Sequence, residues 1–194
     1  MRGARGARCE RVIGIGGGSA IDTAKAVAVM LSNPGDLLDY LEVVGKGKTI
    51  QERPAPYIAI PTTAGTGSET TVVGVITDAS THEKFAINDL KLVPKVAVLD
   101  PELMVGLPPA ITAATGMDAL THAVEAYIGL NGNSFTDRHA EKATRLVFEN
   151  LEKVSCDGSD LEARYQMALA STFAGAAFTR AYVGYVHAIA HNMG

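Results

Sequence analysis

The sequence predicts an open α/β sheet followed by an all-α helical part. Three observations carry that expectation. Short apolar runs alternate with helical patterns through the first half of the chain. A glycine turn, Gly14-Ile15-Gly16-Gly17-Gly18-Ser19, joins the first run to the first helical pattern. Beyond Leu107-Pro108-Pro109 no strand-like run appears. The division therefore falls at Leu107, with an α/β part over 1–107 and a helical part over 108–194.

Residues 11–15 (Arg-Val-Ile-Gly-Ile) form an apolar run ending in glycines and are expected to be a buried parallel strand. Residues 20–31 carry Ile21, Ala24, Ala28 and Leu31 at helical spacing, and Asn33-Pro34-Gly35 stops the helix. Residues 57–60 (Tyr-Ile-Ala-Ile) read as a second buried strand, closed by Pro61. Residues 71–77 and 84–88 read as strands joined by a polar turn through Asp78 and Ser80. A further strand at 96–99 ends at Asp100-Pro101. In the second half, Ala140, Ala143, Leu146, Val147 and Leu151 share one helical face. Residues 161–178 are rich in Ala and Gly, which lets helices pack closely. Ser134 and Asp160 are the expected helix N-caps.

Composition excludes several function classes. A formal charge of −4 and a pI near 5.7 argue against nucleic acid or an anionic membrane as partner. Three arginines in the first eight residues make too short a basic tail, and no apolar segment of a secretion signal follows them. No stretch is long enough to span a bilayer. Cys9 and Cys156 have no ligand spacing, so a reducing, cytoplasmic compartment is expected.

The glycine turn suits phosphate. Glycines allow backbone conformations closed to other residues and let an anion approach the amides of the following helix. Ser19 with Asp22 also reads as a capping box. Such a turn can be only a turn, and Ser19 stands where the dinucleotide fingerprint would have its last glycine. A second loop, Pro61-Thr62-Thr63-Ala64-Gly65-Thr66-Gly67-Ser68-Glu69, offers hydroxyls and amides directly after the second strand. Both loops would converge on one crevice.

Asp118 and His122, four residues apart, lie on one helical face. As a lone pair they could be a structural ion pair. A second helical pair, His187 and His191, shifts the reading towards a divalent Lewis acid, Zn(II) or Fe(II), with open positions. His82 and His139 belong to neither pair and are expected to be exposed.

Four motifs resemble, in order and spacing, those of the iron-containing (group III) alcohol dehydrogenases. They are Gly16-Gly17-Gly18-Ser19-Ala20-Ile21-Asp22-Thr23-Ala24-Lys25, the Pro61 to Glu69 loop, Ala113 through Tyr127, and Val186-His187-Ala188-Ile189-Ala190-His191. The resemblance implies an α/β nucleotide-binding (Rossmann-like) domain followed by an all-α helical metal-binding domain, with the active site between them. It implies that Gly17, Gly18 and Ser19 hold the pyrophosphate of NAD or NADP, with Asp22 among the cofactor-binding positions. Thr62, Thr63 and Thr66 would line the nucleotide, and Lys84 would touch it. Asp118, His122 and His187 would be metal ligands, with Fe2+ favoured and Zn2+ the alternative. His191 would stand near the nicotinamide as a proton relay.

Family members extend past both ends of this chain, so it is expected to be a fragment, with a fourth ligand, a histidine, beyond Gly194. The expected activity is hydride transfer between a primary alcohol/aldehyde pair and nicotinamide. The alternatives are nucleotide binding without turnover, or a related glycerol dehydrogenase or dehydroquinate-synthase-like enzyme. A small alcohol or aldehyde is the expected partner, and a homo-oligomer is left open.

Overall fold

The computed structural model describes residues 9–42, 48–79, 83–191 and 193. Ser80 and His82, both named above, lie outside the described residues. Strands β1 (Val12–Gly16), β2 (Tyr57–Pro61) and β5 (Val96–Ala97) form a parallel sheet in the order β1-β2-β5. Helix α1 (Gly18–Ser32) packs on it. Gly14 permits that approach, since a Cβ there would lie 2.7 Å from the Ala24 methyl. Ile21, Ala24, Ala28, Tyr57 and Ala59 fill the interface.

The first strand is not buried on both faces. Ile13 and Ile15 are 60% and 58% exposed. Helix α1 covers one face, and among the described residues nothing covers the other. An apolar run signals burial without revealing how many layers supply it.

Strands β3 (Val73–Thr77) and β4 (Lys84–Asn88) pair antiparallel as a separate two-stranded sheet, where the sequence suggested one open sheet. Among the described residues no helix intervenes between them, and antiparallel pairing suits a direct hairpin connection. Strand β3 starts at Val73, two residues later than expected. The chain first makes a short 3-10 turn at Ser68–Thr70, and the Thr71 carbonyl goes to Lys25 instead of a neighbouring strand. Regular pairing of β5 ends at Ala97, although Val98 still donates to the Ala59 carbonyl at 2.9 Å.

The helical part comprises α2 (Pro109–Ile128), α3 (Ser134–Cys156), α4 (Leu161–Ala181) and the short α5 (Tyr185–Ala190). Asp160 caps α4 as expected, accepting from the Ala163 amide at 2.9 Å. Ser134 is not the cap of α3. Asn133, in extended conformation, accepts from the amides of Phe135 and Thr136, and Ser134 is the first helical residue. Ala123, Ala126, Ala140, Ala143, Ala174, Ala177 and Ala181 form a cluster with almost no exposure. Such small side chains bring α2, α3 and α4 close, so dispersion between backbones contributes much of their cohesion. Val147, Val154 and Met167 supply the larger burial, about 1.5–3 kcal/mol each. No helix among the described residues is long and apolar enough to cross a membrane.

Contacts between the threonine-rich loop and α4 join the two parts. Gly67, at φ 61°, lies so close to Gly175 that a Cβ on it would be 2.7 Å from the Gly175 Cα. The Ser171 hydroxyl accepts from the Gly67 amide at 3.1 Å, and the Thr179 hydroxyl from the Val72 amide at 3.0 Å.

Candidate metal and nucleotide site

A cleft of about 380 Å³ opens between the glycine turn, the β3–β4 hairpin and the helical part. Its walls include Gly18, Ser19, Asp22, Thr66 and Lys84 on one side and Asp118, His122, His187 and His191 on the other.

The turn into α1 is shaped by backbone. Gly16 adopts φ 146°, a conformation side chains rarely allow. At Gly18 a Cβ would collide with Thr66, 2.6 Å from its methyl. Gly17 is the N-cap, and no side chain caps α1. The expected Ser19–Asp22 capping box is therefore not formed, and the helix start presents its amides and positive dipole end without an internal acceptor. Asp22 is drawn elsewhere. Its Oδ1 accepts from the Ser68 hydroxyl at 2.5 Å and its Oδ2 from the Val75 amide at 3.0 Å. Asp22 thus ties helix, loop and hairpin together at the cleft wall. Thr62 and Thr63 lie beside the turn and not in the cleft lining. The Thr62 amide donates to the Gly16 carbonyl at 2.9 Å, and the Thr63 side chain faces Gly17.

Buried beneath is Lys25, 1% exposed, donating to the Thr71 hydroxyl at 2.8 Å and the Thr71 carbonyl at 3.1 Å, and also to the Val73 carbonyl. Burial lowers its pKa to about 8, against the raising influence of Asp22 and Glu69.

On the helical side, one ligating atom from each of Asp118, His122 and His187 falls within 4.8 Å of the others. His187 Nε2 lies 3.4 Å from Asp118 Oδ1, and His122 Nδ1 lies 3.8 Å from the same oxygen. The His122 ring is stacked between Phe178 and His187, at 4.2 Å from each. Its Nδ1 is buried with no hydrogen-bond partner. An orphaned imidazole nitrogen facing a carboxylate and a second imidazole fits a divalent cation of borderline softness.

The electrostatics agree with that fit. Burial lowers the His122 pKa to about 4, which keeps the ring in its neutral, metal-binding form at neutral pH. Burial alone would raise Asp118, but the His187 hydrogen bond and the nearby histidines outweigh it and hold the carboxyl low. His187 is raised, first by Asp118 and also by Glu125, against the effect of burial.

His191 stands apart from this trio, its ring 6.1 Å from that of His187 and edge-on. Burial, then the charges of His187 and Lys84, lower its pKa. His139 is half-buried, not exposed as expected. Its ring lies tilted against Phe135, with centroids 4.0 Å apart, and its Nδ1 hydrogen-bonds the Phe135 carbonyl at 2.7 Å.

Sequence reasoning assigned no role to Glu125, although a signal was present. Positions 118, 122 and 125 share one helical face. Glu125 is buried and bonds His187 Nδ1 at 2.6 Å.

Fold and cleft together set an uncapped strand–turn–helix unit opposite a helical face that carries three convergent ligand-type side chains. Residues 1–101 match the iron-containing alcohol dehydrogenase family, and residues 112–194 match the C-terminal domain of the same family. The chain belongs to the iron-containing alcohol dehydrogenase family. It is 46% identical over 186 residues to the NAD-dependent methanol dehydrogenase of Bacillus methanolicus, covering 96% of this chain and 48% of that protein. It is 50% identical over 186 residues to alcohol dehydrogenase 4 of Schizosaccharomyces pombe, covering 96% and 43%. The crystal structure of a 1,3-propanediol oxidoreductase superposes with a TM-score of 0.92 at 45% identity, covering 98% of this chain and 49% of that one. Sulfoacetaldehyde reductase from Bifidobacterium kashiwanohense, in complex with NAD+, gives a TM-score of 0.90 at 40% identity, covering 96% and 49%. The chain spans about half the length of the curated relatives it matches.

Proposed function

We propose that this chain carries the nucleotide- and metal-binding elements of a cytoplasmic NAD-linked alcohol dehydrogenase, with an α/β nucleotide domain over 1–107 and a helical metal domain over 108–194. One observation carries the reading. The three converging ligand atoms of Asp118, His122 and His187 open into the same cleft as the uncapped start of α1. NAD, in preference to NADP, rests on the NAD named for two of the relatives. Iron rests on the family description, and zinc suits the same donors. The exposed free thiols Cys9 and Cys156 fit a reducing compartment.

Asp118, His122 and His187 would hold the ion, and Gly17, Gly18, Ser19 and Thr66 would seat the pyrophosphate. Bound, the ion supplies Lewis acidity towards an alcohol oxygen and the nicotinamide accepts or gives hydride. The chain's own work is placement and desolvation. Val73, Val75, Phe178 and Val183 line the cleft and keep water from the reacting centre. Lys84, exposed at the rim, helps keep His191 neutral, so the imidazole can take a proton and pass it to solvent.

The test is a fluorescence titration with NADH, followed by a hydride-transfer assay with a primary alcohol and added Fe(II) or Zn(II). Saturable NADH binding with metal-dependent turnover is expected. A chain that binds neither nucleotide nor metal refutes the proposal. NADH binding without turnover would support a second reading, nucleotide binding alone, which a donor set of only three side chains among the described residues favours.

A further inference from the structure

Glu125 is a buried carboxylate whose hydrogen bonds all go to one distant segment. Its Oε2 accepts from the Gly184 amide at 2.8 Å and from His187 Nδ1 at 2.6 Å. Its Oε1 accepts from the Val186 amide at 2.6 Å. Helix α5, six residues long, has no side-chain cap of its own, and Glu125 satisfies its first amides from outside. Gly184 makes this approach available, because a Cβ there would lie 3.0 Å from Glu125 Oε1 and 3.2 Å from its Cδ. Two residues earlier, Tyr182 is held at φ 67° and ψ −177°, the one described non-glycine residue with positive φ. A short helix behind a strained turn would not keep one orientation unaided.

The chemistry of the three bonds is specific. A carboxylate is an acceptor only, so the His187 nitrogen facing it must carry the proton. Nε2 also faces a carboxylate, Asp118 at 3.4 Å, but the neutral ring has one proton and the Glu125 bond at 2.6 Å is the shorter, which leaves Nε2 available to an ion beside the stacked His122 ring. Glutamine cannot replace the carboxylate. It has one acceptor oxygen, and its NH2 would face a donor on the other side.

We propose that Glu125 is a positioning residue for the metal site, locking the start of α5 and the Nδ1–H tautomer of His187 so that Nε2 faces Asp118 and His122. This rests on the metal reading proposed above. Glu125 acts through His187, as supporting carboxylates do for ligating imidazoles elsewhere.

Two measurements test it. In the unmodified, metal-free, 15N-labelled chain at alkaline pH, two-bond 1H–15N correlations assigned with a His187→Gln sample should show His187 protonated at Nδ1. In parallel, Co(II) titration followed by visible absorption should show Glu125→Gln binding about 10–100-fold more weakly, with NADH affinity and helical circular dichroism retained. An Nε2–H tautomer, or equal cobalt affinity in a folded Glu125→Gln chain, overturns the proposal and leaves the metal reading intact. Failure of the unmodified chain to take up cobalt overturns both. Should Glu125→Gln lose its helical signal, the ring-nitrogen spectrum of the unmodified chain decides alone.

Discussion

The Thr172 hydroxyl on α4 donates to Glu69 Oε1 at 2.7 Å, one of the hydrogen bonds that lock the threonine-rich loop to the helical part. Glu69 is 3% exposed. Burial raises its pKa, opposed by the Thr172 bond and the charge of Lys25. Thr172→Val keeps the shape and leaves a buried oxygen without its donor. We expect a loss of about 1–3 kcal/mol, read from urea unfolding. An unchanged midpoint would show that the bond contributes nothing.

Gly17 and Gly18 should separate fold from ligand. At Gly17 a Cβ would touch only Thr63, at an ordinary 3.5 Å. Gly17→Ala should therefore fold normally while intruding on a bound phosphate, lowering NADH affinity at least about tenfold. Gly18→Ala must displace Thr66 and should lose about 1–3 kcal/mol of stability as well. Normal NADH affinity in Gly17→Ala would remove the phosphate assignment.

Lys25 makes stability depend on alkaline pH. Its folded pKa is about 8 against 10.5 unfolded. Between these values the unfolded chain binds the extra proton, so stability rises with pH, and below about 8 the cost of the buried charge is present in full. The full window is worth on the order of 3 kcal/mol. Tyr57, whose phenol burial pushes up from 10.0, works in the opposite sense above that value. Urea melts from about pH 8 to 10 should show the rise, and Lys25→Met should flatten it. Parallel profiles for the two chains would contradict the lowered pKa.

Asp118→Ala should abolish stabilisation by divalent metal while sparing NADH binding. The unmodified chain should gain about 2.7 kcal/mol at a metal concentration a hundredfold above Kd, and the variant none. Thermal melts with and without Zn(II) give the comparison. Equal metal-induced shifts would exclude Asp118 as a ligand.

Local chemistry was legible in the sequence; partnership across the chain was not. The strand–glycine–helix unit reads directly because only glycine suits a turn like that at Gly16. Asp118 and His122 read directly because helical spacing alone places them together. Lys25, by contrast, looks like any solvated helix lysine until the carbonyls of Thr71 and Val73, some 46–48 residues on, close over it. Glu125 went without a role for the same reason, its partners lying 59–62 residues away. Asn133 and Ser134 are adjacent and both good caps, so composition could not choose between them. The extended backbone of Asn133 did.

The glycine-on-glycine contact between residues 67 and 175 has a mechanical consequence. At the glycine pair itself there is no rotamer to repack, so loop and helix part there only by losing backbone contact, together with the Ser171 bond to the Gly67 amide. Sliding at that point would drive the Gly67 carbonyl into α4. The base of the cavity is therefore braced at that point by main chain pressed against main chain.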